Sequence, residues 1–223
     1  MFGAYKRIYL TSPSWLVKCI GQREYRRYFT NYKSERLLDI GCGSGEKRHI
    51  IPKEIKYTGV DHPDTAHNRS NIDIYCTAYA LPISDNSYDS VFCSGVLEHL
   101  EEPELALREA YRVLKLGGHA IYTVPLFWHL HEEPRDFYRY TKHGIRYLFE
   151  KAGFEIAELK PLSGFWVTFG SEFNYYINRF NKNVAKPFFS LLIAINNLIF
   201  FLFEKIDSPE QWTWMYFVIA RKK

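Results

Sequence analysis

The chain has 223 residues, which suits one large domain or one domain with an appendage. Hydrophobic residues at 47% and charged residues at 24% are ordinary for a soluble globular protein, and a net charge of +4 neither demands nor excludes a nucleic-acid partner. The 4 cysteines, Cys19, Cys42, Cys76 and Cys93, are scattered without metal-ligand spacing, so no structural metal and a reducing compartment are expected. Aromatic residues reach 17%, which points to a large apolar site or contact surface. The first residues lack the unbroken apolar core of a signal peptide, and a cytoplasmic location is expected.

Residues 1–35 read as an N-terminal helical lid, basic and aromatic, ending in "REYRRYFTNYKSE". From Arg36 strands and helices alternate. "RLLDIG" is a short apolar strand, "EKRHII" a helix start, "YTGVD" a second strand, "NIDIYC" a third and "SYDSVFCSG" a fourth. Pro103 to Lys115 predicts a helix, with Pro103 at its first position, Glu104 at the positive dipole end and Gly117-Gly118 as its stop. "HAIYTVP" follows as a fifth strand. Thr141 caps a helix that Gly153 ends, "FEIAELK" is a sixth strand and "WTWMYFVIARK" a seventh. This rhythm predicts an α/β fold: a Rossmann-like, doubly wound, mostly parallel seven-stranded sheet over 36–160 and 212–223, its last strand antiparallel. Residues 161–211 fall outside it and read as an apolar helical insertion before the last strand.

The densest signal is "LLDIGCGSGE". Gly41, Gly43 and Gly45 follow the first strand, where open parallel sheets bind ligands, and glycine there lets a ligand approach the backbone. Amides at a following helix start would favour a polar or anionic group. Asp61 ends the second strand and is placed to accept hydrogen bonds from both hydroxyls of a ribose. An adenosine-like ligand is the expectation, with a dinucleotide site and a tight turn without ligand as the rival readings.

The order of "LLDIGCGSGE", Asp61, "LPISDNSYDSV" (81–91), "LEH" (97–99) and "RVLKLGG" (112–118) resembles the class I S-adenosylmethionine-dependent methyltransferases, in the broad type 11 group of small-molecule enzymes. The resemblance runs from about 36 to 160. It implies S-adenosylmethionine as cofactor, with Gly41, Gly43 and Gly45 against its methionine moiety, Cys42 in the same loop, and Asp39 near the ammonium or ordering the loop. It further implies Asp61 on the ribose, His62 beside the adenine, Thr77 and Ala78 at the adenine edge, and the backbone of Ser94 and Gly95 at the methionine end. Two positions depart from the pattern. Thr77 stands where an aspartate is usual, and Leu116 stands where a proline is usual.

A sulfonium methyl is already activated, so such an enzyme chiefly aligns the acceptor, and a hydroxyl acceptor also gains from a general base. The loop "PLFWHLHEEPRDFYRYT" (125–141) leaves the fifth strand over the crevice and offers His131 as that base, with His99 of "LEH" as a second candidate. The bland alternative makes His131, Asp136 and Arg139 a hydrogen-bonded lattice that shapes the loop. The expected activity is O-methylation of a small-molecule or saccharide-type acceptor. A catalytically silent scaffold, a nicotinamide-dependent oxidoreductase and a nucleic-acid methyltransferase are the alternatives.

Within the insertion, residues 188–203 run apolar save for Ser190, Asn196 and Asn197. On a helical wheel Lys186, Ser190, Asn197 and Glu204 share one stripe, and the remaining faces carry more apolar surface than packing on the sheet needs. A homodimer interface, contact with a membrane surface, or a wall around a greasy acceptor are the uses expected for it.

Overall fold

The computed structural model describes residues 8–65 and 68–223, and of Ser70 only the backbone. Helix α1 (Trp15–Asn31) precedes β1 (Arg36–Ile40), β2 (Lys56–Asp61), β3 (Ile74–Tyr75) and β4 (Tyr88–Ser94). Then come α2 (Pro103–Val113), β5 (Leu114–Pro125), α3 (Lys142–Lys151), β6 (Phe154–Pro161), α4 (Phe165–Asn178), α5 (Lys186–Ile206) and β7 (Met215–Lys222). The seven strands form one sheet in the order β3-β2-β1-β4-β5-β7-β6. β7 runs antiparallel to both β5 and β6, and the other pairings are parallel.

The period of two in the strands divides the core into two layers. Leu38, Val91, Cys93, Ala120, Tyr122 and Val218 face α2 and α3, meeting Leu107, Ala110, Ile145 and Phe149. Leu37, Phe92, Ile121, Phe217 and Ile219 face the other way, against Leu16, Val17, Tyr25, Tyr28 and Phe29 of α1 and Val167 of α4. The Tyr25 and Tyr28 hydroxyls meet Ser94 Oγ at 2.6 Å and Ser90 Oγ at 3.0 Å, so the polar tips of these buried rings are satisfied within the sheet. Helix α1 therefore lies flat on a sheet face. None of its residues lines the crevice cavity, and residues 1–7 of the expected lid lie outside the described residues.

Three local readings are corrected. "EKRHII" forms only a three-residue 3-10 turn at Arg48–Ile50, beside which α1 covers the sheet. The anion-favouring helix start expected after the glycine loop is therefore missing. Helix α2 ends at Val113, before the glycine pair. Gly117, at φ 76°, and Gly118 instead make an irregularity in β5, where the register with β4 slips between Tyr88↔Leu114 and Ser90↔His119. The third strand keeps only Ile74 and Tyr75. The cap at Thr141 forms as read, its Oγ1 accepting from the Gly144 amide at 3.1 Å. The 161–211 segment is a helical hairpin, α4 and α5.

Candidate functional site

Strand order reverses between β1 and β4, and a cavity of about 860 Å³ opens at their carboxyl ends. That volume lies within the roughly 300–1,000 Å³ usual for small-molecule sites. One wall is the glycine turn. Gly41 at φ 70° and Gly43 at φ 55° lie in the left-handed region. A Cβ on Gly41 would fall 2.5 Å from Cγ2 of Val96, itself a cavity residue, so the turn is glycine by packing as well as by dihedral. Gly45 serves the turn from behind: it lies outside the lining, and its Cβ would strike Asn71, whose side-chain amide donates to Ser44 O at 2.7 Å.

The far wall is Asp61, with His62, Cys76, Thr77 and Ala78 beside it. Its two carboxylate oxygens accept from the Gly43 amide at 2.6 Å and the His62 amide at 2.7 Å. Both lie at the rim of the cavity, and each oxygen keeps a lone pair for a ligand. Cys42 lines the cavity with its thiol pushed up to about 12 by burial and by the nearby Asp39 and Asp61 charges, which leaves it an inert wall. Asp39 is buried behind the turn and accepts from Tyr57 Oη at 2.8 Å. Burial pushes its carboxyl up to about 6 against the opposing pull of Lys47 and Tyr57. It orders the loop and does not line the cavity.

At the methionine end expected from the sequence, the backbone is already engaged. Ser94 O accepts from Lys47 Nζ at 2.7 Å, and the Gly95 amide donates to Thr123 O at 3.0 Å. The Ser94 hydroxyl is buried against Tyr25 and Thr123. Both residues still shape the cavity wall. Lys47, which the sequence reading passed over, is a lining residue with a cation spanning the mouth of β1 and β4; its place two residues after the last glycine was the available signal.

The loop between β5 and α3 closes the remaining side through Glu132, Glu133, Pro134 and Arg135, with a cis peptide before Pro134. Asp136 holds this loop in shape. It accepts from the His131 amide at 2.9 Å and from both terminal nitrogens of Arg139 at 2.6 and 2.8 Å, and Arg139 also donates to Trp128 O and His129 O. The Arg139 guanidinium keeps the Asp136 carboxyl far below the usual carboxylate range. The loop is pinned below by the Phe137 and Tyr138 amides on Glu98 O, and at its side by the His129 imidazole against Glu172 of α4 at 2.9 Å.

His99 and His131 meet edge to face, with ring centroids 4.7 Å apart. His99 lines the cavity, whereas His131 stands behind it. Nδ1 of His99 lies 2.5 Å from Arg135 O, to which it donates, and Nε2 lies 4.0 Å from Oε1 of Glu98. Nδ1 of His131 faces His129 O at 3.2 Å and Asp136 Oδ2 at 3.4 Å. Burial and the neighbouring His99 hold its pKa below the ordinary histidine value, partly offset by Asp136. Beside them Glu98 is fully buried, and neither carboxylate oxygen has a hydrogen-bond partner. Burial pushes its carboxyl up to about 8. One donor atom from each of Glu98, His99 and His131 lies within 4.8 Å of the others. These are donor types that a divalent cation takes, and protonation of Glu98 relieves the same cluster without one.

A mostly parallel sheet, a glycine turn after β1, an acidic residue closing β2 and a ligand-sized crevice at the switch point define an α/β fold built to hold a nucleoside-like cofactor. A family described as "Methyltransferase domain" matches residues 38–122. The ubiquinone/menaquinone biosynthesis C-methyltransferase of Xanthomonas oryzae is 30% identical over 118 residues, 44% of this chain and 47% of that protein. The 27-O-demethylrifamycin SV methyltransferase of Amycolatopsis mediterranei is 34% identical over 98 residues, 38% of this chain and 36% of that protein. The chain thus spans about half or less of these two relatives. Among solved structures, the [4+2]-cyclase SpnF superposes with a TM-score of 0.63 at 20% identity, covering 99% of this chain and 87% of that one, a likeness of fold alone. Residues 38–122 thus resemble the methyl-transferring domain of the class I S-adenosylmethionine-dependent methyltransferases, in sequence and in fold.

That match implies S-adenosylmethionine as cofactor, and the residues present fit it. The Asp61 carboxylate is held at the rim with free lone pairs, the glycine turn exposes backbone, and the volume is sufficient.

Proposed function

We propose that the chain transfers a methyl group from S-adenosylmethionine to an acceptor oxygen seated beneath the 126–140 loop. The observation that carries this reading is one continuous cavity, running from Asp61 past Gly41 and Gly43 to His99 and the loop residues 132–135. Bound there, the cofactor supplies a methyl group on a positively charged sulfur. The protein's own task is then to align the acceptor, exclude water and accept a proton.

Asp61 holds the ribose hydroxyls, and Thr77 and Ala78 flank the adenine. His99 takes the acceptor's proton on Nε2, because it is the histidine on the cavity wall and its other nitrogen is committed to Arg135 O. His131 acts through His99 as a positioning residue, fixed in its turn by Asp136. This exchanges the order expected from the sequence, in which His131 came first. Relatives support both atom classes, since one is named a C-methyltransferase and another acts on a 27-O position. A histidine on the cavity wall favours oxygen, whose proton must leave as the bond forms.

Calorimetric titration with S-adenosylhomocysteine, with NADH as control, tests the cofactor. Micromolar binding of the former alone is expected; binding of NADH alone, or of neither, refutes the reading. Transfer of labelled methyl groups to hydroxyl-bearing small molecules, saccharides among them, then tests the acceptor class.

A further inference from the structure

A helix on a protein surface ordinarily turns its polar residues to water and its apolar residues to the core. Helix α5 does the reverse. Its polar stripe faces inward. Asn196 Nδ2 donates to Gly170 O at 3.1 Å and Asn174 Oδ1 at 2.6 Å, and Asn197 Nδ2 donates to Leu10 O at 2.7 Å and Ser12 O at 3.0 Å. Glu204 accepts from the Val167 amide at 2.9 Å and the Ser208 hydroxyl at 2.7 Å.

What faces outward is apolar. Phe188, Leu191, Ile195, Leu198, Leu202 and Ile206 succeed one another at spacings of three or four residues, and they are 65, 60, 46, 47, 57 and 81% exposed. They form one ridge along the whole 21-residue helix, about 31 Å at roughly 1.5 Å per residue. On α4, Phe173, Tyr176 and Phe180 extend the surface. A surface this large and continuous is not a resting state in water.

The ends of the ridge carry the second observation. Arg179, Lys182 and Lys186 cluster at the turn of the hairpin, all exposed, and among the described residues none of them pairs with a carboxylate. Arg179 lies over the Tyr176 ring at 5.5 Å, and at the other end Lys205 lies over Phe201 at 4.4 Å. Apolar ridge, aromatic–cation pairs and unpaired cations at the edge are the three parts of an interfacial helix on an anionic bilayer. The segment 183–206 also has the length and hydropathy of a membrane span. Its inward asparagines and Glu204 are nevertheless bonded to the domain, so one face meets lipid and the other stays on the protein.

We propose that α5, with the outer face of α4, lies in the plane of an anionic lipid surface, and that the methyl acceptor is drawn from that surface. Helix α4 follows the carboxyl end of β6, on the side of the sheet where the cavity opens, and Glu172 ties it to the 126–140 loop through His129. A docked hairpin thus holds that loop against the lipid, where a lipid-borne acceptor can present a polar head to the crevice. The acceptor clause rests on the methyl-transfer reading above; the membrane clause does not.

The test is flotation of the full chain with vesicles of phosphatidylcholine alone and with added phosphatidylglycerol, alongside light scattering without lipid. We expect co-flotation that rises with the anionic lipid. The double variant Ile195→Glu/Leu202→Glu should leave the vesicle fraction while keeping its circular dichroism and its S-adenosylhomocysteine affinity. The variant Lys182→Gln/Lys186→Gln, which leaves the ridge intact, should weaken partition about fivefold per lysine at low salt. A chain that stays out of the vesicle fraction overturns the proposal, whether it scatters as a monomer or as a dimer that covers the ridge with a second copy. Vesicle binding without S-adenosylhomocysteine binding would leave the membrane surface standing and overturn the methyl-transfer reading alone.

Discussion

The Gly43 amide donates to the Asp61 carboxylate at 2.6 Å, which joins the turn after β1 to the end of β2 across 18 residues. The carboxylate is thus aimed before any ligand arrives, with the His62 amide at 2.7 Å on its other oxygen. Replacement by alanine removes the proposed ribose acceptor and frees the turn together. Asp61→Ala should raise the dissociation constant for S-adenosylhomocysteine by about 100-fold, the scale of two lost charge-assisted hydrogen bonds. Asp61→Asn should recover only part of that. Calorimetry reads both, and unchanged affinity in Asp61→Ala would remove the ribose assignment.

Gly41 tests the turn separately. At φ 70°, with Val96 Cγ2 only 2.5 Å from where a Cβ would stand, Gly41→Ala meets both backbone strain and a packed side chain. A loss of about 1–3 kcal/mol in denaturant unfolding is expected, with weaker cofactor binding as Val96 is pushed into the cavity. A paired Gly41→Ala/Val96→Ala variant should recover the steric part alone.

Glu98 makes stability depend on pH. Its folded carboxyl is pushed up to about 8 from 4.5 by burial, so between those values the folded chain holds a proton that the unfolded chain releases. This contribution is complete below about 4.5 and is lost as pH rises through about 8, with a slope of at most about 1.4 kcal/mol per pH unit. Glu98→Gln, which keeps the shape and cannot ionise, should flatten the fall of the melting temperature over that range. Parallel curves for the two proteins would show that Glu98 is ionised in the folded state.

The two histidines should separate kinetically. His99→Ala should lower kcat by at least about 100-fold with S-adenosylhomocysteine affinity kept, as loss of a general base does. His131→Ala should lower kcat less and shift the pH–rate profile, because it removes the ring packed against His99 at 4.7 Å. If His131→Ala proves the more damaging, their roles are exchanged.

What the sequence made legible was whatever depends on a local pattern. The glycine turn, Asp61 at the end of its strand and the Thr141 cap are set by neighbours within a few residues, and all three lie where the pattern puts them. The 3-10 turn at 48–50 was not legible, because a helix start and a single turn share the same residues and the choice is made by α1, which occupies the adjacent sheet face from far away in sequence. Gly117-Gly118 read as a helix stop for the same reason: a glycine pair marks a break without saying whether it ends one element or bends the next. The inward stripe of α5 was visible as a stripe. Its direction was not, since Asn197 donates to backbone carbonyls at positions 10 and 12 and accepts from Asn174 of α4. The ranking of His99 over His131 likewise follows from the fold of a loop, which no spacing reveals.

The last strand in the chain is an interior strand of the sheet. β7 fills the gap between β5 and β6, and its Phe217 and Ile219 lie in the layer beneath α1. The pairing of β6 and the bed beneath α1 are therefore both completed only when residues 215–222 dock. Until then a folding intermediate offers the open edges of β5 and β6 and an incompletely covered aromatic helix, which are the surfaces through which such intermediates associate.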